Sequence, residues 1–138
     1  MRTILALILS LTISAAAEAE TRRFRGTLYL SHLESDPPGA EEVIPESIAV
    51  NFTLKEQGRN LTLIDHIQRG QLRLRRISAT VAQGEIKRVG TVGTATCTER
   101  VGVRIVRFRK AIGLFKSLSL VCDDGKQLLA IWEAPFRL

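Results

Sequence analysis

Apolar and polar residues alternate along most of the chain, and this alternation strongly limits what the chain can fold into. Successive side chains of a β-strand point to opposite faces, so a period of two is typical of strands with one buried face. The apolar parity is held by Phe24, Gly26, Leu28 and Leu30, by Ile48, Val50, Phe52 and Leu54, by Leu72 and Leu74, and by Val101, Val103 and Ile105. The sequence therefore predicts an all-β, mainly antiparallel fold.

Glycines that follow a polar residue recur at regular intervals. Gly58, Gly70 and Gly84 are 12 and 14 residues apart. Short strands separated by such turns are typical of an antiparallel meander, so we expect a small meander-type β-barrel or β-sandwich of about seven or eight strands. The clearest hairpin is expected at Asp124-Gly125, because Asp-Gly is the preferred pair for a two-residue type I′ turn.

The alternation reverses its phase at two places. After Arg76 the apolar residues move to the opposite parity, which predicts a β-bulge near Arg75-Arg76. A second reversal at Val106 and Phe108 places Arg107 among the polar positions. Both reversals lie in the most basic part of the chain.

Three segments do not follow the alternation. Residues 60–70 fit either a strand over residues 61–64 or a short helix with Asn60 as its N-cap, and the hairpin spacing of the flanking glycines favours the strand. Residues 110–116 are expected to form a loop or one helical turn. Residues 34–46 contain Pro-Pro-Gly and five carboxylates, which predicts an acidic loop.

The N-terminus has the layout of a secretory signal peptide. Arg2 precedes an apolar run over residues 4–13, and small residues then provide small-x-small cleavage sites up to Ala19. We expect residues 1–19 to be removed and residues 20–138 to form a single β domain of 119 residues. The protein is therefore expected to be exported, to the periplasm if its host is bacterial and otherwise to the outside of the cell.

The chain contains two cysteines, Cys97 and Cys122. In an oxidising compartment an isolated pair indicates one disulfide. Redox pairs usually lie two residues apart, and a zinc site needs about four ligands. The spacing therefore favours a structural crosslink.

Positive charge is concentrated in the second half of the chain. The net charge is +6, and residues 69–110 contain eleven basic and two acidic side chains. Arginine forks suit phosphate and carboxylate groups, so we expect an anion-binding surface. Its candidate residues are Arg73, Arg75, Arg100, Arg104, Arg107, Arg109 and Lys110. The alternative is a solvated face whose charge the acidic loop balances.

The sequence offers little support for catalysis, for a metal site or for a cofactor. Asp65 and His66 are adjacent on an expected strand and point to opposite faces, so they do not form a triad with Ser117 or Ser119. The histidines, His32 and His66, lack the spacing of metal ligands. No phosphate-binding glycine loop occurs. The export signal and the few aromatic residues disfavour nucleic acid as a partner.

These observations favour a non-catalytic binding module of the cell envelope. Its expected partner is anionic: a lipid phosphate, an acidic polysaccharide or an acidic protein, with peripheral membrane contact as one form of binding. The first alternative is a small β-barrel carrier for an apolar molecule. The second alternative is a hydrolase without a familiar signature.

N-terminal sequencing of the exported protein tests the expected signal peptide. The mature chain should begin at Glu18 or Glu20, immediately after one of the two small-x-small sites. Exported protein that still begins at Met1 would contradict the prediction.

Overall fold

The computed structural model of the protein describes residues 20–38 and 43–137. The expected signal peptide, residues 1–19, lies outside this part of the chain. Among the described residues there is no helix of the length and apolarity that a membrane crossing requires.

Eight antiparallel strands close into one barrel, each hydrogen-bonded to its neighbours in sequence and the last to the first. The strands are β1 (Glu20–Asp36), β2 (Ser47–Gln57), β3 (Asn60–Asp65), β4 (Gly70–Arg76), β5 (Val81–Val92), β6 (Ala95–Arg107), β7 (Ala111–Cys122) and β8 (Gln127–Arg137). The predicted all-β meander of seven or eight strands is confirmed. Of the two architectures that the sequence allowed, the protein forms the barrel.

The apolar parity of each strand fills the inside of the barrel, as alternation predicts. Phe24, Phe52 and Phe136 meet there with ring centroids 5.1 to 5.8 Å apart. Gly26 makes room for this cluster, because a Cβ at that position would lie 2.7 Å from the Phe136 ring. Leu28 and Ala130 are fully buried nearby. Burial of each large apolar side chain contributes about 1.5–3 kcal/mol, so this core is the main source of stability.

The two ends of the barrel differ in which connections they carry. The first end carries the turns β2–β3, β4–β5 and β6–β7. The second end carries the connections β1–β2, β3–β4, β5–β6 and β7–β8. Side chains inside the barrel can thus be assigned to one end by their position along a strand.

The predicted β-bulge at Arg75-Arg76 is wrong. β4 ends at Arg76, and residues 77–80 form a turn before β5. The Ser78 hydroxyl accepts hydrogen bonds from the backbone N–H groups of Thr80 and Val81, which stabilises this turn without glycine or proline. A bulge does occur in β1, where the register shifts between Leu30 and His32.

Several other local expectations are resolved by the strand boundaries. The strand interpretation of residues 61–64 is confirmed by β3. The expected loop or helical turn over residues 110–116 is wrong, because β7 begins at Ala111 and pairs with both β6 and β8. The acidic segment is partly strand, since Glu34–Asp36 belongs to β1. Residues 39–42 of that segment lie outside the described part of the chain.

The last hairpin has a three-residue connection rather than the expected two-residue turn. Cys122 N–H donates to the Lys126 carbonyl oxygen, and Gly125 N–H donates to the Cys122 carbonyl oxygen. Gly125 has a φ of 90°. A left-handed residue at the end of a three-residue loop is the second common way to close a hairpin, and glycine adopts it without a steric penalty.

The predicted disulfide is confirmed between Cys97 on β6 and Cys122 on β7. The two residues are directly opposite in the register, with 4.0 Å between their Cα atoms. Both side chains are buried and pack against Ala95 and Leu120 in a small cluster at the second end. The crosslink therefore fastens the end of the β6–β7 hairpin that lies far from its turn.

Removal of this crosslink should destabilise the protein without changing its fold. Replacing both Cys97 and Cys122 by Ala should lower the free energy of unfolding by about 3 kcal/mol, because the unfolded chain regains the freedom of the closed loop. Urea unfolding of the oxidised parent and of the double variant measures the difference. Equal free energies of unfolding would show that the disulfide adds no stability.

Candidate anion-binding groove

Two pairs of the predicted arginines lie on the outer face of the barrel. Arg73 and Arg75 project outward from β4 because Leu74 between them is buried. Arg100 and Arg104 project outward from β6 because Val103 occupies the inward parity. All four side chains are exposed. The alternating pattern thus placed these residues correctly.

The meander order brings Arg75 and Arg104 into one row across three strands. Gln83 on β5 is opposite Arg75 on one side and opposite Arg104 on the other. Neighbouring strands are about 4.8 Å apart, so the two arginine backbones are separated by roughly 10 Å. The Arg104 Nη2 donates a hydrogen bond of 3.0 Å to the Gln83 Oε1, which holds its guanidinium group over β5.

A groove of about 730 Å³ runs along this row on the outside of the barrel. Its lining combines basic, polar and apolar side chains, among them Arg75, Arg104, Gln83, Glu85, Ser117, Ile77, Phe115 and Ile131. Gly102 leaves space at the bottom of the groove, because a Cβ at that position would lie 2.6 Å from the Ser117 Oγ. The groove therefore has space for a ligand group beside Arg75 and Arg104.

Arg100 lies on the same face but has an acidic neighbour. Its Nε is 3.7 Å from Glu85 Oε1, and both side chains are about half exposed. An exposed ion pair of this kind contributes about 0–1 kcal/mol. Arg100 therefore stays available to a stronger anionic partner, although Glu85 lowers the local positive charge.

Arg107 lies apart from the outer surface. The inward parity of Val103 and Ile105 continues to Arg107, whose Nη2 is 2.8 Å from Glu56 Oε2. Arg76 pairs with the other oxygen of the same carboxylate. The side chain of Glu56 is only 13% exposed, so these three residues form a largely enclosed cluster at the first end of the barrel. We call it the Glu56 cluster.

The pairing of Glu56 with Arg76 and Arg107 was not predicted from the sequence. Their inward parity could have identified them. Glu56 continues the inward series of Phe52 and Leu54, and Arg76 continues that of Leu72 and Leu74. A charged residue at an inward position needs an opposite charge near it.

Arg109 and Lys110 are exposed in the β6–β7 turn at the same end, and neither lines the groove.

The acidic segment does not cover the arginines in the part of it that the structure describes. Its residues 43–46 pack at the second end, where the Pro45 carbonyl oxygen accepts a hydrogen bond of 2.8 Å from Trp132 Nε1. Glu34 is 3.2 Å from His32 Nε2. None of the ion pairs among the described residues joins this segment to Arg73, Arg75 or Arg104.

The residues considered for catalysis and metal binding have other contacts. Asp65 Oδ1 accepts hydrogen bonds from the backbone N–H groups of Ile67 and Gln68, so this carboxylate stabilises the β3–β4 turn. The His66 ring is 2.6 Å from the Thr53 hydroxyl. Within the described ranges no group of three or more His, Cys, Asp or Glu side chains is arranged to hold a metal ion.

A second concave site lies inside the barrel at its second end. The cavity has a volume of about 380 Å³. Its wall is mainly apolar and includes Ile44, Ile48, Ile86, Val101, Leu118 and Trp132, while Gln68, Arg88, Glu99 and Lys116 supply polar groups. Barrel mouths are among the preferred places for small-molecule sites.

Comparisons of the chain with protein-family models, with curated proteins and with solved structures found no match. Functional proposals for this protein therefore depend on the chemistry of the two concave sites.

The Glu56 cluster should be important for stability. Glu56→Gln removes the one carboxylate that two partly buried guanidinium groups share, and breaking a fully buried pair typically costs about 3–5 kcal/mol. Because Arg107 is 38% exposed, we expect the lower end, a loss of about 3 kcal/mol in the free energy of unfolding.

Glu85→Gln is the matched control for this substitution. It removes the exposed partner of Arg100 and should change the free energy of unfolding by less than about 1 kcal/mol. Urea unfolding of both variants measures the contrast. Equal effects of the two substitutions would contradict a structural role for the Glu56 cluster.

Proposed function

We propose that the protein is a non-catalytic binding module of the cell envelope that engages an anionic partner through its outer groove. The observation that carries the proposal is the row formed by Arg75, Gln83 and Arg104 across three neighbouring strands. A phosphate or carboxylate group between the two arginines would receive charge-assisted hydrogen bonds from both sides. Arg73 and Arg100 extend the positive charge along the same face.

The groove favours a partner that has apolar as well as anionic parts. Phe115 and Ile131 line it beside the arginines, and Ile77 at its margin is 55% exposed. A lipid phosphate, an acidic polysaccharide and an acidic protein segment each combine such parts in different proportions. The disulfide is compatible with an oxidising compartment, as the export signal predicts.

Replacement of the two groove arginines tests the proposal. Arg75→Gln combined with Arg104→Gln should weaken binding at least about tenfold, because charge-assisted hydrogen bonds to the anion are lost. The probes are phosphatidylglycerol vesicles, alginate and polyglutamate, with phosphatidylcholine vesicles as the uncharged reference. Binding to the preferred anionic probe should also weaken steeply with salt, since the Debye length falls from about 10 Å at 0.1 M to about 3 Å at 1 M.

A double variant of equal charge distinguishes the groove from the net charge of the protein. Arg25 is exposed on β1, across the barrel from β5, and Arg137 is exposed at the end of β8. Replacing both by Gln should leave binding within about twofold of the parent, a difference of less than 0.5 kcal/mol. Equal losses in the two double variants, or no binding of any anionic probe by the parent, would contradict the proposal.

A further inference from the structure

Lys116 points into the cavity at the second end of the barrel. It lies between Leu114 and Leu118 on the inward parity of β7, and its register partner on β8 is Trp132. Trp132 is 4% exposed, and Lys116 is only partly exposed. The ammonium group thus extends from a strand whose neighbouring inward side chains are apolar.

The charge of Lys116 is not neutralised by another side chain in the described ranges. Arg88 and Glu99 are opposite each other in the β5–β6 register, and both line the cavity, so with Lys116 the described lining carries two cations and one carboxylate. Lys116 takes part in no ion pair or hydrogen bond with another described residue. An unpaired cation beside apolar surface is unfavourable, and an anionic group that enters the cavity would relieve this cost.

β4 and β5 separate on the side of the cavity. Residue pairs join β4 and β5 only at Arg75–Gln83 and Arg76–Ala82. Gly84 still lies against Arg73, and from Glu85 onward β5 has no paired residue on β4. Ile86 and Arg88 on that part of β5 border the cavity. Ile44 and Gln68 border the cavity as well, and none of these four side chains lines the outer groove.

We propose that this cavity binds a small amphiphilic anion, an alkyl or aryl carboxylate. The carboxylate pairs with the Lys116 ammonium group, and the apolar body contacts Ile48, Val101 and Leu118. A volume of about 380 Å³ is within the usual range for small-ligand sites. The site differs from the outer groove in location, size of ligand and charged residue, so each can fail without the other.

A set of ligands with one alkyl chain and three head groups tests the proposal. Decanoate, decanol and decyltrimethylammonium are titrated below their micelle-forming concentrations. Trp132 is the only tryptophan of the chain and lines the cavity, so its fluorescence reports occupancy. Decanoate should give a saturable change, decanol should bind at least about tenfold more weakly because it lacks the charge-assisted contact, and the ammonium ligand should give none.

Variants of Lys116 test whether this residue causes the preference for decanoate over decanol. Lys116→Met should bring the affinity for decanoate down to that for decanol, and Lys116→Arg should retain most of the preference. Lys87→Met is the matched control, because Lys87 is exposed on the outer face of β5, and it should behave like the parent. The Arg75→Gln/Arg104→Gln variant should also bind decanoate normally, which separates this site from the outer groove.

Three results would overturn the proposal. One is equal affinity of the parent for decanoate and decanol, and another is unchanged decanoate affinity in Lys116→Met. The third is the absence of any saturable fluorescence change with decanoate. If Lys116→Met does not fold, the head-group series on the parent and on Lys116→Arg still decides between a charge-selective cavity and an unselective apolar one.

Discussion

The closure of the barrel between β4 and β5 is the constraint on which the rest of the structure depends. All other neighbouring strands share six or more residue pairs, whereas β4 and β5 share two, at Arg75–Gln83 and Arg76–Ala82. Gly84 permits the close approach, because a Cβ there would collide with the Arg73 carbonyl oxygen. Two residue pairs are a short connection between neighbouring strands, so side chains must help to hold β4 in place. The Glu56 cluster provides this support. The carboxylate of Glu56 on β2 holds Arg76 at the end of β4 and Arg107 at the end of β6.

Both concave sites lie next to the short region in which β4 and β5 are paired. Where β4 and β5 are paired, Arg75 and Arg104 lie on the two sides of Gln83. These three residues form one end of the outer groove. Beyond the two pairs β5 has a paired neighbour in β6 alone, and its side chains Ile86 and Arg88 line the cavity. A longer β4 paired along all of β5 would cover this part of β5 on its second side.

Much of the fold follows from parity, whereas the turns do not. Leu74, Val103 and Leu28 are buried as alternation predicts, and the export-compatible pair Cys97 and Cys122 forms the expected crosslink. The turn at residues 77–80 was mistaken for a bulge because Ile77-Ser78-Ala79-Thr80 has no glycine or proline, and only the Ser78 hydroxyl marks it. Parity also placed four arginines on the outer face correctly, of which Arg75 and Arg104 line the groove. It failed for Arg107, because β6 keeps its parity through Arg107 and the apparent reversal reflects the turn that begins at Phe108.

Lys116 was missed for a related reason. The expected loop over residues 110–116 hid the inward parity of Ile112 and Leu114, on which Lys116 also lies. Local sequence cannot show that a charge at such a position has no partner, since partners come from strands far away in the chain. Glu56 and Arg107 are 51 residues apart, yet they neutralise each other at the first end.

The two ends of the barrel interior differ in how completely their charges are matched. At the first end Glu56 pairs with Arg76 through one carboxylate oxygen and with Arg107 through the other. Both cations therefore have a counter-charge. At the second end the described lining has two cations, Arg88 and Lys116, and one carboxylate, Glu99, and no ion pair joins Lys116 to it. Folding alone does not require a cation at this position, because Leu or Met would fill it without the cost of desolvating a charge. An anion in the cavity would offset this cost, and this difference between the ends supports the proposal that the second end is a ligand site and the first end a structural one.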